Sequence, residues 1–263
     1  FNKDGNLDLF TANESSNTIS VLLGNGNGSF KNQTTFATSA GPYGCSVGDF
    51  NADGNLDVVT ANGGGNNLGV FLGNGNGTFQ SQSSYATGTY PRPVSVADLN
   101  SDGILDLATA NGSSNTISIL LGNGNGSFKN QTTLSTSNLP FWLDIGEING
   151  DGIPDLISVN QGGGNTGVFI GNGNGTFKNQ QLLASLAYSR CVIVSDLNGD
   201  GRNDIVTANP AGNSVGIYIN SLNGNFDGEI YNIDNTSPSI SIFSNKTALK
   251  TGDTANIIFT LSE

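Results

Sequence analysis

The chain has 263 residues, 38 of them glycine, with only 11% charged residues and a net charge of −12. Glycine, Asn, Ser and Thr at this density disfavour helix, while 14 Phe and short runs of Val, Ile and Leu supply a core, so the composition excludes both a helical protein and a disordered one. The acidic balance (pI about 4.1) excludes nucleic acid and anionic membrane surfaces as partners, and no stretch approaches the roughly 20 apolar residues of a membrane span.

The chain is organised by an internal repeat. Asp49, Asp98, Glu147 and Asp196 open near-identical segments 49 residues apart, and residues 1–8 are the same segment without its first residue. Phe30, Phe79, Phe128, Phe177 and Phe226 keep the same spacing. Copies therefore run over about 1–48, 49–97, 98–146, 147–195 and 196–233. Each copy holds four short strand patterns; around the second copy's loop they are predicted at 45–50, 56–61, 68–72 and about 78–86. Asn-Gly-Gly-Gly-Asn-Asn separates the second from the third, and Gly73-Asn74-Gly75-Asn76-Gly77 the third from the fourth; both are turn signals. Apolar residues on both faces, as in Val58, Val59 and Ala61, suit sheets packed between neighbours. Four strands per 49 residues predict an all-β fold, a β-propeller of four-stranded blades in which the first copy is incomplete, with a parallel β-helix as the competing solenoid. Residues 234–263 leave the repeat: Pro238-Ser-Ile-Ser-Ile-Phe243, a turn and a second apolar run ending near Leu261 predict a linker and the first strands of a β-sandwich.

The recurring loop reads Asp-x-Asn-x-Asp-Gly-x-x-Asp. Its copies are Asp49, Asn51, Asp53 and Asp57; Asp98, Asn100, Asp102 and Asp106; Glu147, Asn149, Asp151 and Asp155; Asp196, Asn198, Asp200 and Asp204; and, without the opening acid, Asn2, Asp4 and Asp8. Hard cations such as Ca²⁺ take six to eight oxygens, and alternate positions of a tight loop converge on one point. Glycine at the sixth position allows the turn, and the carbonyl of the seventh (Asn6, Asn55, Ile104, Ile153, Arg202) is the backbone ligand expected. Of 21 acidic residues, 14 stand at loop positions one, five and nine. Uncompensated, they would repel one another; five Ca²⁺ would bring the formal charge from −12 to −2. The alternative is a set of polar turns needing no metal. Without His or clustered Cys, zinc is not expected, and Mg²⁺, whose strict octahedron suits a crowded cage poorly, is the lesser alternative; the missing opening acid of copy one and the longer Glu147 set those two loops apart.

Segments such as Ser46-Val-Gly-Asp-Phe-Asn-Ala-Asp-Gly-Asn-Leu-Asp-Val-Val, recurring across the copies, resemble the FG-GAP/VCBS repeat family, which includes integrin α-subunit propellers. The resemblance spans about residues 1–232. It implies a propeller with calcium in the loop between the first two strands of each blade, in proteins that are typically extracellular and often adhesive. Two departures stand out: family propellers usually have about seven blades, and the Phe-Gly and Gly-Ala-Pro signatures are only partly echoed, as in Gly41-Pro42-Tyr43-Gly44. The tail from Ser244 resembles the opening of a bacterial-type Ig-like module.

Ten Asn-x-Ser/Thr sequons are candidates for N-glycosylation: Asn13, Asn27, Asn32, Asn76, Asn111, Asn125, Asn130, Asn174, Asn235 and Asn245. Four of them, Asn27, Asn76, Asn125 and Asn174, occupy one repeated turn that Asn-Gly chemistry alone also explains. Cys45 and Cys191 are read as two small buried thiols, with a disulfide as the alternative. The absence of His removes the usual neutral-pH base, so no catalytic constellation is expected. The expectation is a non-enzymatic, extracellular calcium-binding repeat protein with a structural or adhesive role, its partners other copies of itself in a glycosylated fibril. The alternative is a carbohydrate- or protein-binding propeller using Tyr43, Tyr90, Phe141 and Trp142; a targeting module of a larger enzyme is the third reading.

Overall fold

The computed structural model describes residues 1–184, 188–222, 225–232, 239–244 and 257–262. Leu9–Asn13 (β1), Thr18–Leu22 (β2) and Thr34–Ala37 (β3) form a three-stranded sheet. Four four-stranded sheets follow. The second comprises Pro42–Gly48 (β4), Asp57–Asn62 (β5), Asn67–Phe71 (β6) and Ser83–Ala86 (β7); the third, Pro91–Ala97 (β8), Asp106–Asn111 (β9), Thr116–Leu120 (β10) and Thr132–Ser135 (β11). The fourth comprises Pro140–Gly146 (β12), Asp155–Asn160 (β13), Asn165–Phe169 (β14) and Gln181–Ala184 (β15); the fifth, Cys191–Ser195 (β16), Asp204–Asn209 (β17), Ser214–Leu222 (β18) and Asn225–Asn232 (β19). Every sheet is an antiparallel meander in chain order. In the tail, Ser239–Ser244 (β20) and Ile257–Ser262 (β21) pair antiparallel. Residues 245–256, on which much of the resemblance to an Ig-like module rests, lie outside the described residues, as do Asn235 and Asn245.

The sheets stack as propeller-like blades, and the core lies between them. Phe50, Val59, Leu68 and Val70 of the second blade meet Val94, Leu107 and Leu120 of the third; Leu99, Ala110 and Ile119 meet Leu143, Leu156 and Phe169; Ile148, Ile157 and Val168 meet Val192, Ile205 and Tyr218. Burial on both faces explains why β5, β9 and β13 are buried at every residue. The first strand of each blade is innermost: β4 packs on β8, β8 on β12 and β12 on β16. Between β4, β8 and β12 runs a cavity of about 420 Å³.

One residue per inner strand bonds the next blade. Ser46 donates to the Val94 carbonyl (2.6 Å) and Ser95 to the Leu143 carbonyl (3.0 Å). At the corresponding position, the Asp144 carboxylate accepts from Val194 N–H (2.9 Å).

The sequence expectation of one continuous fourth strand over 78–86 is corrected. Phe79 makes an isolated bridge to Gly73 and turns its ring into the core, and only residues 83–86 rejoin the sheet. Between them Gln82 reaches back to Ser39 of the preceding blade, accepting from its N–H and donating to its hydroxyl (3.0 Å each). Strand one also begins earlier than expected, at Pro42, with a bulge between Pro42 and Gly44.

The Gly73 turn passes tightly over β5's approach: a Cβ there would lie 2.2 Å from the Leu56 carbonyl oxygen, and one at Gly122 would lie 2.4 Å from that of Leu105. Gly73→Ala should therefore destabilise the fold by about 1–3 kcal/mol in urea unfolding, whereas alanine at Gly103, with nothing within 4 Å but a φ of +80°, should cost less. Burial pushes the Asp144 carboxyl above its ordinary range, with the N–H groups of Val194 and Ile145 offsetting part of the effect. A raised folded-state value means that stability is fully present below the ordinary carboxylate range and is lost as pH rises through the folded value. Asp144→Ser, which installs the residue that the second and third blades carry, should raise the unfolding free energy at pH 7 and leave it nearly unchanged at about pH 3.

Candidate metal centre

Each acidic loop bridges the end of an inner strand and the start of its neighbour. In the second loop the Asp49 carboxylate accepts from Asp53 N–H (3.2 Å) and Gly54 N–H (2.8 Å), and Asp53 accepts from Asn55 N–H (2.7 Å). The Asn51 amide donates to Asp53 (2.9 Å) and accepts from its N–H (3.2 Å). Asp98, Asn100 and Asp102 repeat these bonds in the third loop. The coil is possible because Ala52 (φ 57°) and Gly54 (φ 77°) both take left-handed backbone. Positions one, three and five are thus gathered on the exposed side of these two loops.

The ninth position behaves differently. Asp57, Asp106, Asp155 and Asp204 are each 0% exposed, and both oxygens of each accept a backbone N–H. Asp57 binds Phe50 N–H and Gly73 N–H (2.8 Å each), Asp106 binds Leu99 and Gly122 (2.9 and 2.7 Å), Asp155 binds Ile148 and Gly171 (3.0 and 2.7 Å), and Asp204 binds Leu197 and Asn220 (3.0 and 2.8 Å). In the first blade Asp8 binds the Phe1 nitrogen (2.7 Å) and Gly24 N–H (2.8 Å). One carboxylate therefore ties the end of the inner strand to the turn after the third. Burial raises Asp57, Asp106 and Asp155, the last to about 6, the two N–H groups opposing and the carboxylates at positions five and one adding to the rise.

Among the described residues no group of three acidic or thiol side chains is placed to hold a metal ion. The donor chemistry still fits a hard cation in the second and third loops. Two carboxylates and an amide oxygen stand together there, and each oxygen of the buried ninth carboxylate keeps a lone pair. The other loops depart. Glu147 reaches far enough to accept from Gly150 and Asp151 N–H (2.5 and 3.2 Å), so its extra methylene is absorbed by the loop; Asn149 accepts from Asp151 (2.9 Å). In the fifth loop Asp196 accepts from Gly199 and Gly201 and Asn198 from Asp200, but the Arg202 guanidinium already pairs with Asp200 (2.5 Å) and donates to the Asn220 carbonyl (3.0 Å). The first loop brings together Asn2, Asp4 and Asn6.

The sequons divide by exposure. Asn27, Asn76, Asn125 and Asn174 are exposed, and each accepts from the N–H and hydroxyl of its own Ser or Thr, as at Asn76 and Thr78 (3.0 and 2.6 Å). Asn32 and Asn130 are exposed too. Asn111 is a correction: it is fully buried and donates to the Thr116 and Ser118 hydroxyls (3.0 and 2.7 Å), which leaves no surface for a glycan. Half-buried Asn13 makes the same bonds to Thr18 and Ser20. These two belong to a series, with Asn62 and Asn160, that ties β5 to β6 and its counterparts; the 49-residue recurrence was the signal. Cys45 and Cys191 are free, half-buried thiols, both raised by burial. Trp142 packs against the core of the fourth and fifth blades, while Tyr43, Tyr90 and Phe141 surround the Arg92 guanidinium.

Stacked four-stranded meanders with one acidic loop per blade define a propeller-type repeat protein. The chain belongs to the FG-GAP repeat family: the FG-GAP-like repeat matches residues 1–60, 49–109, 98–158 and 147–207, and the FG-GAP repeat matches residues 192–233. No curated sequence matches it at significance. Similar solved structures include an Agrocybe aegerita lectin recognising non-reducing terminal N-acetylglucosamine (22% identity, TM-score 0.57), 81% of this chain matching 60% of the lectin. A putative 6-phosphogluconolactonase from Bacteroides uniformis matches at 17% identity and TM-score 0.68, covering 86% of this chain and 68% of its own. A catalytically inactive virginiamycin B lyase from Staphylococcus aureus matches at 18% identity and TM-score 0.60, covering 97% and 74%. At these identities the likeness is one of fold.

Asp106→Ala should leave the N–H groups of Leu99 and Gly122 buried without acceptors, at about 2–4 kcal/mol in urea unfolding. Asp106→Asn, which keeps one accepting oxygen, should fall between the alanine variant and the parent. Both losses should persist in EGTA.

Proposed function

We propose that the chain is a calcium-stabilised, extracellular, non-enzymatic repeat module with a structural or adhesive role. The observation that carries this reading is the gathering of oxygens at loop positions one, three and five in successive blades of a strongly acidic chain. Asp49, Asn51 and Asp53, with Asp98, Asn100 and Asp102, would hold the best-provided ions, joined by the Asn55 and Ile104 carbonyls. A bound cation would relieve repulsion among these carboxylates and lower the buried Asp57 and Asp106 towards ordinary values. In the fifth loop Arg202 supplies positive charge to Asp200 from within the chain, so that loop is the least dependent on metal. No helix among the described residues is long and apolar enough to cross a membrane. Exposed sequon turns suit a glycosylated surface protein.

Self-association into a fibril is the second reading, favoured by the two outer blade faces. Leu9 is 51% exposed where Val58, Leu107, Leu156 and Ile205 are fully buried, and Leu197 is 49% exposed where Phe50, Leu99 and Ile148 are buried. Each outer face thus presents residues that elsewhere seat another blade.

Thermal unfolding followed by circular dichroism, with calcium and then with excess EGTA, tests the first reading. Loss of calcium should lower the melting temperature by at least about 10 °C, with several ions per chain by metal analysis. An unchanged curve and no bound metal would mean that the loops are polar turns only.

A further inference from the structure

At the end of the inner strands opposite the acidic loops, one repeat position runs Tyr43, Arg92, Phe141, Arg190, at intervals of 49 residues. Tyr43 and Asp49 stand six residues apart on an extended segment, so this end lies roughly 20 Å from the loops. The Arg92 guanidinium carbon sits 3.9 Å from the Phe141 ring centroid and 5.4 Å from those of Tyr43 and Tyr90; that of Arg190 is 5.5 Å from the same Phe141 ring. Among the described residues Arg202 is ion-paired, whereas Arg92 and Arg190 have no carboxylate partner. Two unneutralised guanidinium groups on one ring, in a chain of net charge −12, are an unusual arrangement for packing alone.

Beside Arg190 opens a cleft of about 380 Å³, walled by Ala208, Pro210 and Val215 and lined by Asn209 and Ser214. Asn209 and Ser214 are 1% and 2% exposed, yet the Asn209 amide nitrogen and the Ser214 hydroxyl have no hydrogen-bond partner, and neither has the buried Nε of Arg92. The reason lies in the repeat. Asn13, Asn62, Asn111 and Asn160 spend the same nitrogen on Thr18, Asn67, Thr116 and Asn165, whereas in the fifth blade Asn209 makes no such bond to Ser214 at that position. Buried donors left unpaired cost about 1–3 kcal/mol each, a penalty that a ligand with acceptors would remove.

We propose that this cleft binds a carboxylated saccharide. Arg190 takes the carboxylate, Asn209 and Ser214 bond the sugar hydroxyls, and the Ala208, Pro210 and Val215 wall meets its C–H face. A planar carboxylate matches the guanidinium fork, and a sugar ring uses the adjoining polar and apolar surfaces together. The inference is independent of calcium in the loops and gives the ligand-binding alternative a defined site.

Calorimetric or saturation-transfer titration of the whole chain, in calcium buffer, with methyl glucuronide, methyl glucoside and acetate tests it. Methyl glucuronide should bind at least about tenfold more tightly than either other probe, and Arg190→Gln and Ser214→Ala should each weaken it several-fold without lowering the melting temperature. No binding of methyl glucuronide, equal binding of the glucoside, or equal binding of acetate would overturn the proposal. So would an Arg190→Gln variant that binds like the parent. A fall in melting temperature for Arg190→Gln with no saccharide bound by the parent would assign the cluster to blade packing instead.

Discussion

The fold depends on one buried carboxylate per blade. The aspartate at the ninth loop position opens the second strand, accepts the N–H of the residue that leaves the first strand, and accepts the N–H of a glycine just past the third strand or, in the fifth blade, of Asn220 near its end. The first donor sits where the chain leaves the inner strand; the second is a glycine just past the third strand or, in the fifth blade, Asn220 within β18. Placing an anion there satisfies both, and charge-assisted bonds of this kind exceed neutral ones. At Asp57, Asp106 and Asp155 burial raises the carboxyl, and the two N–H groups pull against that rise. The loop ahead of it is coiled by further backbone bonds to Asp and Asn side chains, so its outer oxygens are gathered before any cation arrives.

Around this tie the repeat builds a protein with no core inside any blade. Each apolar face is buried only against the next blade, so stability passes from neighbour to neighbour as in other repeat architectures. Short polar links set the spacing between inner strands, with Ser46 and Ser95 donating where Asp144 accepts. Divergence among copies then has local meaning. Arg202 gives one loop its own cation, Glu147 lengthens another acid, and Asn209 lacks the cross-strand bond that its counterparts make.

Much of this was legible in the sequence. The 49-residue period, the all-β class and the acidic loops follow from spacing and from the need for glycine where φ is positive. The direction in which the ninth aspartate points did not follow. Its spacing fits a ligand that closes a cage, and as the first residue of a buried strand its side chain also accepts two backbone N–H bonds, which spacing alone does not show. Asn111 misled for a related reason: a sequon records covalent neighbours, whereas burial is set by the strand beyond it. The fourth strand was overextended because Phe79 and Ser83 both suit a strand, and nothing local shows that Gln82 leaves the ladder to bond another blade. The Arg92 and Arg190 pair was visible in register at residues 43, 92, 141 and 190, but its meaning needed the third dimension.

Native-state hydrogen exchange at the amides of Phe50, Gly73, Leu99 and Gly122, in EGTA, tests the carboxylate tie most directly. If the ninth-position aspartates hold the blades together, these four amides exchange only through global unfolding, at the rate of the slowest core strands. Rapid exchange through local opening, with β5 and β9 still protected, would contradict it and place the stabilising role with the cation alone.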